Sequence, residues 1–144
     1  MAMLTMVKAI KQIHPKDVVL FKVGSFYQTY SKDAYIISYL FDYKTKKIEE
    51  NYSSCGFPSS SLAKNLAKLE ENRVNYVLVD KRNNYEDDEK VDYKNLNRYE
   101  EVFKKAHDYV TKRNRIDAIC EKLIKDINTE NIKTTIRQIE QILQ

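Results

Sequence analysis

Apolar residues change their spacing several times along the chain, and each change predicts an element. Leu4, Val7, Ala9-Ile10 and Ile13 recur at helical spacing, and His14-Pro15 ends that helix because the residue before a proline is pushed out of the α region. Val18–Val23 is β-branched and aromatic apart from Lys22, the mark of a buried strand. Gly24 breaks the run, and residues 26–30 read as a second short strand. In an extended chain Phe26 and Gln28 share one face, and Tyr27 and Thr29 point the other way. Ser31 is placed to cap a helix starting at Lys32 or Asp33, with an acid in its first turn. Its apolar side is Ala34, Ile36-Ile37 and Tyr39-Leu40-Phe41. Residues 44–50 read as an exposed edge hairpin blunted by charge. Cys55-Gly56-Phe57-Pro58 reads as a tight turn, and serines 59 to 61 as caps for a helix over 62–72 that buries Leu62, Leu66 and Leu69. Residues 75–80 read as a strand inside a sheet, and 81–92 as a polar loop without period.

From about Asn95 the spacing settles at three and four. Tyr99, Val102-Phe103, Ala106 and Tyr109-Val110 are followed by Ile116, Ile119-Cys120, Leu123-Ile124 and Ile127. They predict one long helix, or two broken near 111–114. Asn128-Thr129 is placed to cap a last helix carrying Ile132, Ile136, Ile139 and Ile142-Leu143. The predicted fold class is α/β (α+β). A mixed β-sheet flanked by helices occupies residues 1–93, and a C-terminal α-helical hairpin or small helical unit occupies 94–144. The apolar stripes of that tail must bury on the sheet domain, on each other or on a second copy.

Composition narrows the class. The chain has 144 residues with 42% hydrophobic content, 2 Gly and 2 Pro, enough for a folded core without staples. The net charge of +4 leans only weakly toward anionic partners. Tyr, Lys, Asn and Ile are abundant together, as A/T-rich coding produces, so the lysines alone are no binding signature. Cys55 and Cys120 are distant in sequence and read as free thiols in a reducing cytoplasm. No apolar run of membrane-spanning length and no signal-peptide layout is present, so the expected location is cytoplasmic, with no membrane partner.

Chemistry of catalysis is not written in the chain. There is no Gly-rich phosphate loop, His-Glu-x-x-His, Cys-x-x-Cys or nucleophile elbow. The acids Glu86, Asp87-Asp88 and Glu89 read as a solvated loop rather than a metal cluster. The expectation is a non-enzyme with no catalytic residues, no metal and no cofactor.

The pair Phe26 and Gln28 carries a different chemistry. A ring and an amide on one face, just past a rigid strand, can slip between bases and hydrogen-bond a base edge. A core phenylalanine is the competing reading of Phe26. Several motifs then occur in order: Lys11-Gln12-Ile13-His14-Pro15, Gly24-Ser25-Phe26-Tyr27-Gln28-Thr29-Tyr30, Asp33-Ala34, Leu40-Phe41-Asp42-Tyr43, Gly56-Phe57-Pro58 and Leu66-Ala67-Lys68-Leu69. Together, over roughly residues 5–80, they resemble the N-terminal mismatch-recognition domain (domain I) of the MutS family. That family writes the central motif Gly-Asp-Phe-Tyr-Glu-Leu-Phe.

The resemblance implies a mixed sheet flanked by helices. It also implies a phenylalanine, here Phe26, stacking on a mispaired or unpaired base from the minor groove. The family's glutamate contacts the same base, and Gln28 stands at that position. Lys22, Lys44 and Lys46 are the expected phosphate contacts. Two departures matter. Gln28 both donates and accepts where a carboxylate only accepts, and Ser25 replaces an aspartate. Mismatch discrimination is therefore less secure than binding to distorted duplex. The ATPase, lever and clamp parts of the repair protein have no counterpart here. The implied function is an ATP-independent nucleic-acid-binding accessory protein whose partner is mismatched or distorted DNA, or another nucleic acid. Residues 95–144 would serve self-association or a protein partner. The alternative is a protein–protein interaction module that kept the fold and lost DNA, such as an accessory factor of a mobile element or retroelement.

Overall fold

A computed structural model describes residues 2–50 and 52–144. The elements are α1 (Ala2–Ile13), β1 (Val18–Val23), β2 (Phe26–Tyr30), α2 (Lys32–Phe41), β3 (Lys46–Glu49), β4 (Tyr52–Pro58), α3 (Leu62–Glu71), β5 (Tyr76–Asp80), β6 (Asp87–Val91), α4 (Tyr99–Lys125) and α5 (Ile132–Leu143). Short 3₁₀ turns at Ser59–Ser61, Lys81–Asn83 and Lys94–Leu96 join them. Among the described residues the strands form one mixed sheet in the order β3-β4-β2-β1-β5-β6. The β1–β5 pair is parallel and the others antiparallel. The expected mixed sheet with flanking and C-terminal helices is what the chain forms. No helix among the described residues is long and apolar enough to cross a membrane.

Side chains alternate across the sheet and build two cores. Val18, Leu20, Tyr27, Cys55, Phe57, Tyr76 and Leu78 pack under α2, α3 and the start of α4, which contributes Tyr99, Val102 and Ala106. On the opposite face Val7 and Ile10 of α1 cover Val19, Phe21, Val77 and Val79. One face is thus roofed by three helices, while α1 covers β1 and β5 on the other. Two compact units divide the chain, Met1–Val110 and Thr111–Gln144, with the boundary inside α4. In the second unit Ile132 is buried, whereas Ile116, Ile119, Ile124, Ile127, Ile136, Ile142 and Leu143 are exposed.

Several local expectations need correction. Residues 81–92 are not a loop throughout, because β6 pairs antiparallel with β5. That pairing is made by backbone groups, and the strand's polar residues show no apolar alternation. Cys55-Gly56-Phe57-Pro58 is not a turn but the end of β4, paired with residues 26–29 of β2. Ser31 makes no side-chain cap; it sits at φ 57, and its backbone N–H instead donates to the Ser53 carbonyl (2.8 Å). Ser61 makes no side-chain cap for α3 either, since its serine run coils into a 3₁₀ turn. The cap position of α5 is Asn131 rather than Asn128 or Thr129. Of the two alternatives for the C-terminal pattern, one long helix forms, and α4 runs unbroken through residues 111–114.

One buried carboxylate ties four elements together. Asp33, in the first turn of α2, accepts from Lys11 Nζ of α1 (2.8 Å), from Tyr99 OH of α4 (2.7 Å) and from the Val19 N–H of β1 (3.1 Å). Lys11 Nζ also donates to the Asp17 carbonyl (2.5 Å) and lies 4.8 Å from the Tyr99 ring centre. Burial pushes the Asp33 carboxyl above its ordinary range, and Lys11 pulls back against that shift. Burial beside this acid also raises the Tyr99 phenol, so Tyr99 stays a donor. Removing one partner strands the others, and a broken buried pair costs about 3–5 kcal/mol. Asp33→Ala should lower the urea-unfolding free energy by about that amount, and Tyr99→Phe by about 1.5–3 kcal/mol as a lost hydrogen bond to a charge. A loss under about 1 kcal/mol for Asp33→Ala would show that the cluster does not hold these elements together.

Candidate nucleic-acid interface

The face that α1 leaves open is set by the β1–β2 hairpin. Gly24 and Ser25 form a two-residue turn, and Gly24 adopts φ 61, the left-handed conformation that such turns favour in glycine. A Cβ on Gly24 would meet nothing within 4 Å, so conformation rather than space favours glycine here. Phe26 is the first residue after the turn. Register puts Phe26 opposite Val23 and Pro58, Gln28 opposite Phe21 and Gly56, and Tyr30 opposite Ser54. Phe26, Gln28 and Tyr30 therefore share the open face, while Tyr27 and Thr29 are buried behind them. The Thr29 hydroxyl donates to the Cys55 carbonyl (2.6 Å), and the Tyr27 and Phe57 rings stack at 6.0 Å. The buried half of β2 thus anchors the exposed half. Phe26 is 45% exposed, so it is not a core phenylalanine.

A cavity of about 570 Å³ opens beside it. Leu4 and Val7 of α1, Val23, Phe26, Gln28 and Tyr30 of the hairpin, and Ile48, Glu49 and Gly56 of β3 and β4 line it, with Lys44 and Lys46. Four of the five residues expected at the interface, Phe26, Gln28, Lys44 and Lys46, thus border one concavity. Lys22 does not. It pairs with Tyr27 in register, its Nζ lies 5.5 Å from the Tyr27 ring centre, and it borders a separate cavity with Asp80, Lys81 and Arg82. The side chains of Asp87 and Asp88, weighed above as metal ligands, lie outside the described residues.

Three participants lie beyond the residues expected at the interface. Tyr30 carries the i, i+2 alternation one step past Gln28, and its ring stacks on Tyr52 at 6.3 Å and meets Phe21 edge-on at 5.7 Å. Burial raises both the Tyr30 and Tyr52 phenols, so both remain neutral donors at ordinary pH. Lys8 Nζ of α1 lies 5.1 Å from the Tyr52 ring centre, placing another cation on this face. Gly56 is the third. A Cβ there would stand 2.6 Å from the Gln28 Cδ and 2.7 Å from its Nε2, so the amide lies directly over the bare backbone of β4. A mixed donor and acceptor is thereby laid across the cavity floor.

An exposed aromatic ring, an amide and two lysines thus border one concavity on the open face of the sheet. The MutS domain I family matches residues 1–105, and the chain belongs to that family. The domain is accordingly of the mismatch-recognition type, in a family that binds DNA. No curated protein sequence matches the chain.

Gly56→Ala tests the seat of Gln28. The clashing atoms are the end of a flexible side chain, so the fold should lose less than about 1 kcal/mol in urea unfolding. The Gln28 side-chain NH₂ resonances should shift clearly in a nitrogen–proton NMR spectrum. Unmoved resonances would mean that Gly56 does not seat the amide.

Proposed function

We propose that this protein is a non-catalytic, ATP-independent accessory protein that binds mispaired or distorted DNA by inserting Phe26 at a weakened base step. The observation that carries this reading is the exposure of Phe26 at the tip of a hairpin whose other face is packed into the core. Gln28 contacts a base edge, and Lys44 and Lys46 meet phosphates. A ring at an edge with cations beside it is what a wedge requires, and the exposed Phe26 with Lys44 and Lys46 on the same cavity supports that reading. Binding to distorted sites follows from energetics, because unstacking costs least where pairing is already broken.

The second unit supports self-association. A helical pair of 34 residues is too small for a core of its own. Its exposed isoleucines recur on both helices, and two copies would cover one another's stripes in an isologous four-helix arrangement.

Titration of labelled duplexes at several salt concentrations checks the first claim. Affinity should fall as salt rises, with a log–log slope set by the phosphates contacted. Phe26→Ala should lose about 1–3 kcal/mol of binding, as an inserted aromatic does. Gln28→Glu should weaken binding to paired duplex by added repulsion and so raise the relative preference for a mismatch. Equal binding by wild type and Phe26→Ala on every duplex would rule the wedge out. For the second claim, sedimentation equilibrium of the full chain should show a dimer that Ile119→Asp with Ile136→Asp converts to monomer. A wild-type monomer at tens of micromolar, well above the Kd of about 1 μM that corresponds to −8.2 kcal/mol, would refute it.

A further inference from the structure

We propose that the cavity beside Phe26 is a receptor for one unpaired nucleobase of DNA, drawn out of the duplex while the ring fills the gap it leaves. The inference rests on the reading of Phe26 as a wedge and goes beyond it. A wedge needs an exposed ring and nothing more. Here the ring stands at the rim of a concavity of about 570 Å³, within the range of pockets that hold whole small ligands.

The lining suits a base rather than a lipid or an apolar peptide. Leu4, Val7, Val23 and Ile48 offer apolar surface for the faces of a planar ring. The floor is polar. The Gln28 amide lies flat over Gly56, and no hydrogen bond to that amide is found among the described residues. It therefore presents both donor and acceptor to an incoming base edge. Glu49 also borders the cavity, brought there by an irregularity in β3 between Lys47 and Glu49, and its carboxylate can accept from an exocyclic amino group. Lys44 and Lys46 border the same cavity, where the phosphates on either side of an extruded nucleotide would pass. The bare backbone at Gly56 gives the floor its depth, since a side chain there would push the amide up into the space.

The two modes differ in substrate order. A wedge that unstacks a step without extruding a base treats a mismatch and an extra nucleotide alike. A receptor favours the extra nucleotide, which has no partner to lose.

The test uses the full chain and three labelled DNA duplexes: fully paired, with one mismatch, and with one extra adenosine. Ile48 lies 40% exposed on edge strand β3, so its replacement leaves the core intact, and tryptophan suits a strand. Wild type should bind the extra-adenosine duplex about tenfold tighter than the mismatched one. Ile48→Trp, which fills the cavity, should bring that ratio close to one. An unchanged thermal midpoint confirms that the variant folds. A wild-type ratio near one, or a ratio that survives Ile48→Trp, overturns the receptor. Phe26→Ala separates the two claims. If it weakens binding while Ile48→Trp leaves the ratio intact, the receptor fails and the wedge stands. If Phe26→Ala changes binding to none of the three duplexes, the wedge itself fails.

Discussion

Asp33 is a charge in the wrong solvent, and the fold is arranged to answer it. Its carboxylate is shut away from water and takes a lysine from α1, a backbone N–H from β1 and a phenol from α4. A buried ion of this kind gives little net stability, yet removing any partner is expensive. Its consequence is geometric. Lys11 can reach Asp33 from the end of α1 only if the helix lies across β1 and β5, and there Val7 and Ile10 find their apolar partners. The same contact therefore decides which part of the sheet α1 covers and which part it leaves open.

The open part is where the chain departs from ordinary packing. Strand β1 has both faces in a core and β2 has one, so the hairpin's backbone is held from behind. On the exposed side the usual polar outer face is replaced by Phe26, Gln28 and Tyr30, with Val23 beside them. The bare backbone under Gln28 and the irregular edge strand both shape the same concavity. Local departures from regular structure converging on one surface are what a binding site requires.

Much of this was legible in the sequence, and the gaps have physical causes. The strand at Val18–Val23 announces itself because both of its faces are buried, and the pairing of Phe26 with Gln28 follows from the period of two. The edge hairpin shows through its charges. What spacing cannot show is register. Ile48, Glu49 and Gly56 reach the cavity only because β4 pairs with β2 and β3, and nothing local encodes that pairing. Gly56 and Pro58 look like turn residues because the reason for the glycine, the Gln28 amide above it, is 28 positions away in sequence. Strand β6 is hidden because backbone pairing leaves no apolar pattern in Asp87–Val91. Asp33 reads as a first-turn acid favoured by the helix dipole, while its larger role depends on Lys11 and Tyr99 arriving from both ends of the domain. Lys22 illustrates the reverse error: close to Phe26 in sequence, it projects from the other face of β1.

The chain belongs to the MutS domain I family, and the proposed wedge is a single ring, Phe26, on the open aromatic face. The most direct measurement is fluorine NMR of the full chain carrying 4-fluorophenylalanine at position 26, titrated with a mismatched duplex. The account predicts a large upfield shift at saturation, because a ring stacked against a base lies in its ring current. A resonance at position 26 that stays at its free value while backbone amides elsewhere respond to the DNA would contradict it.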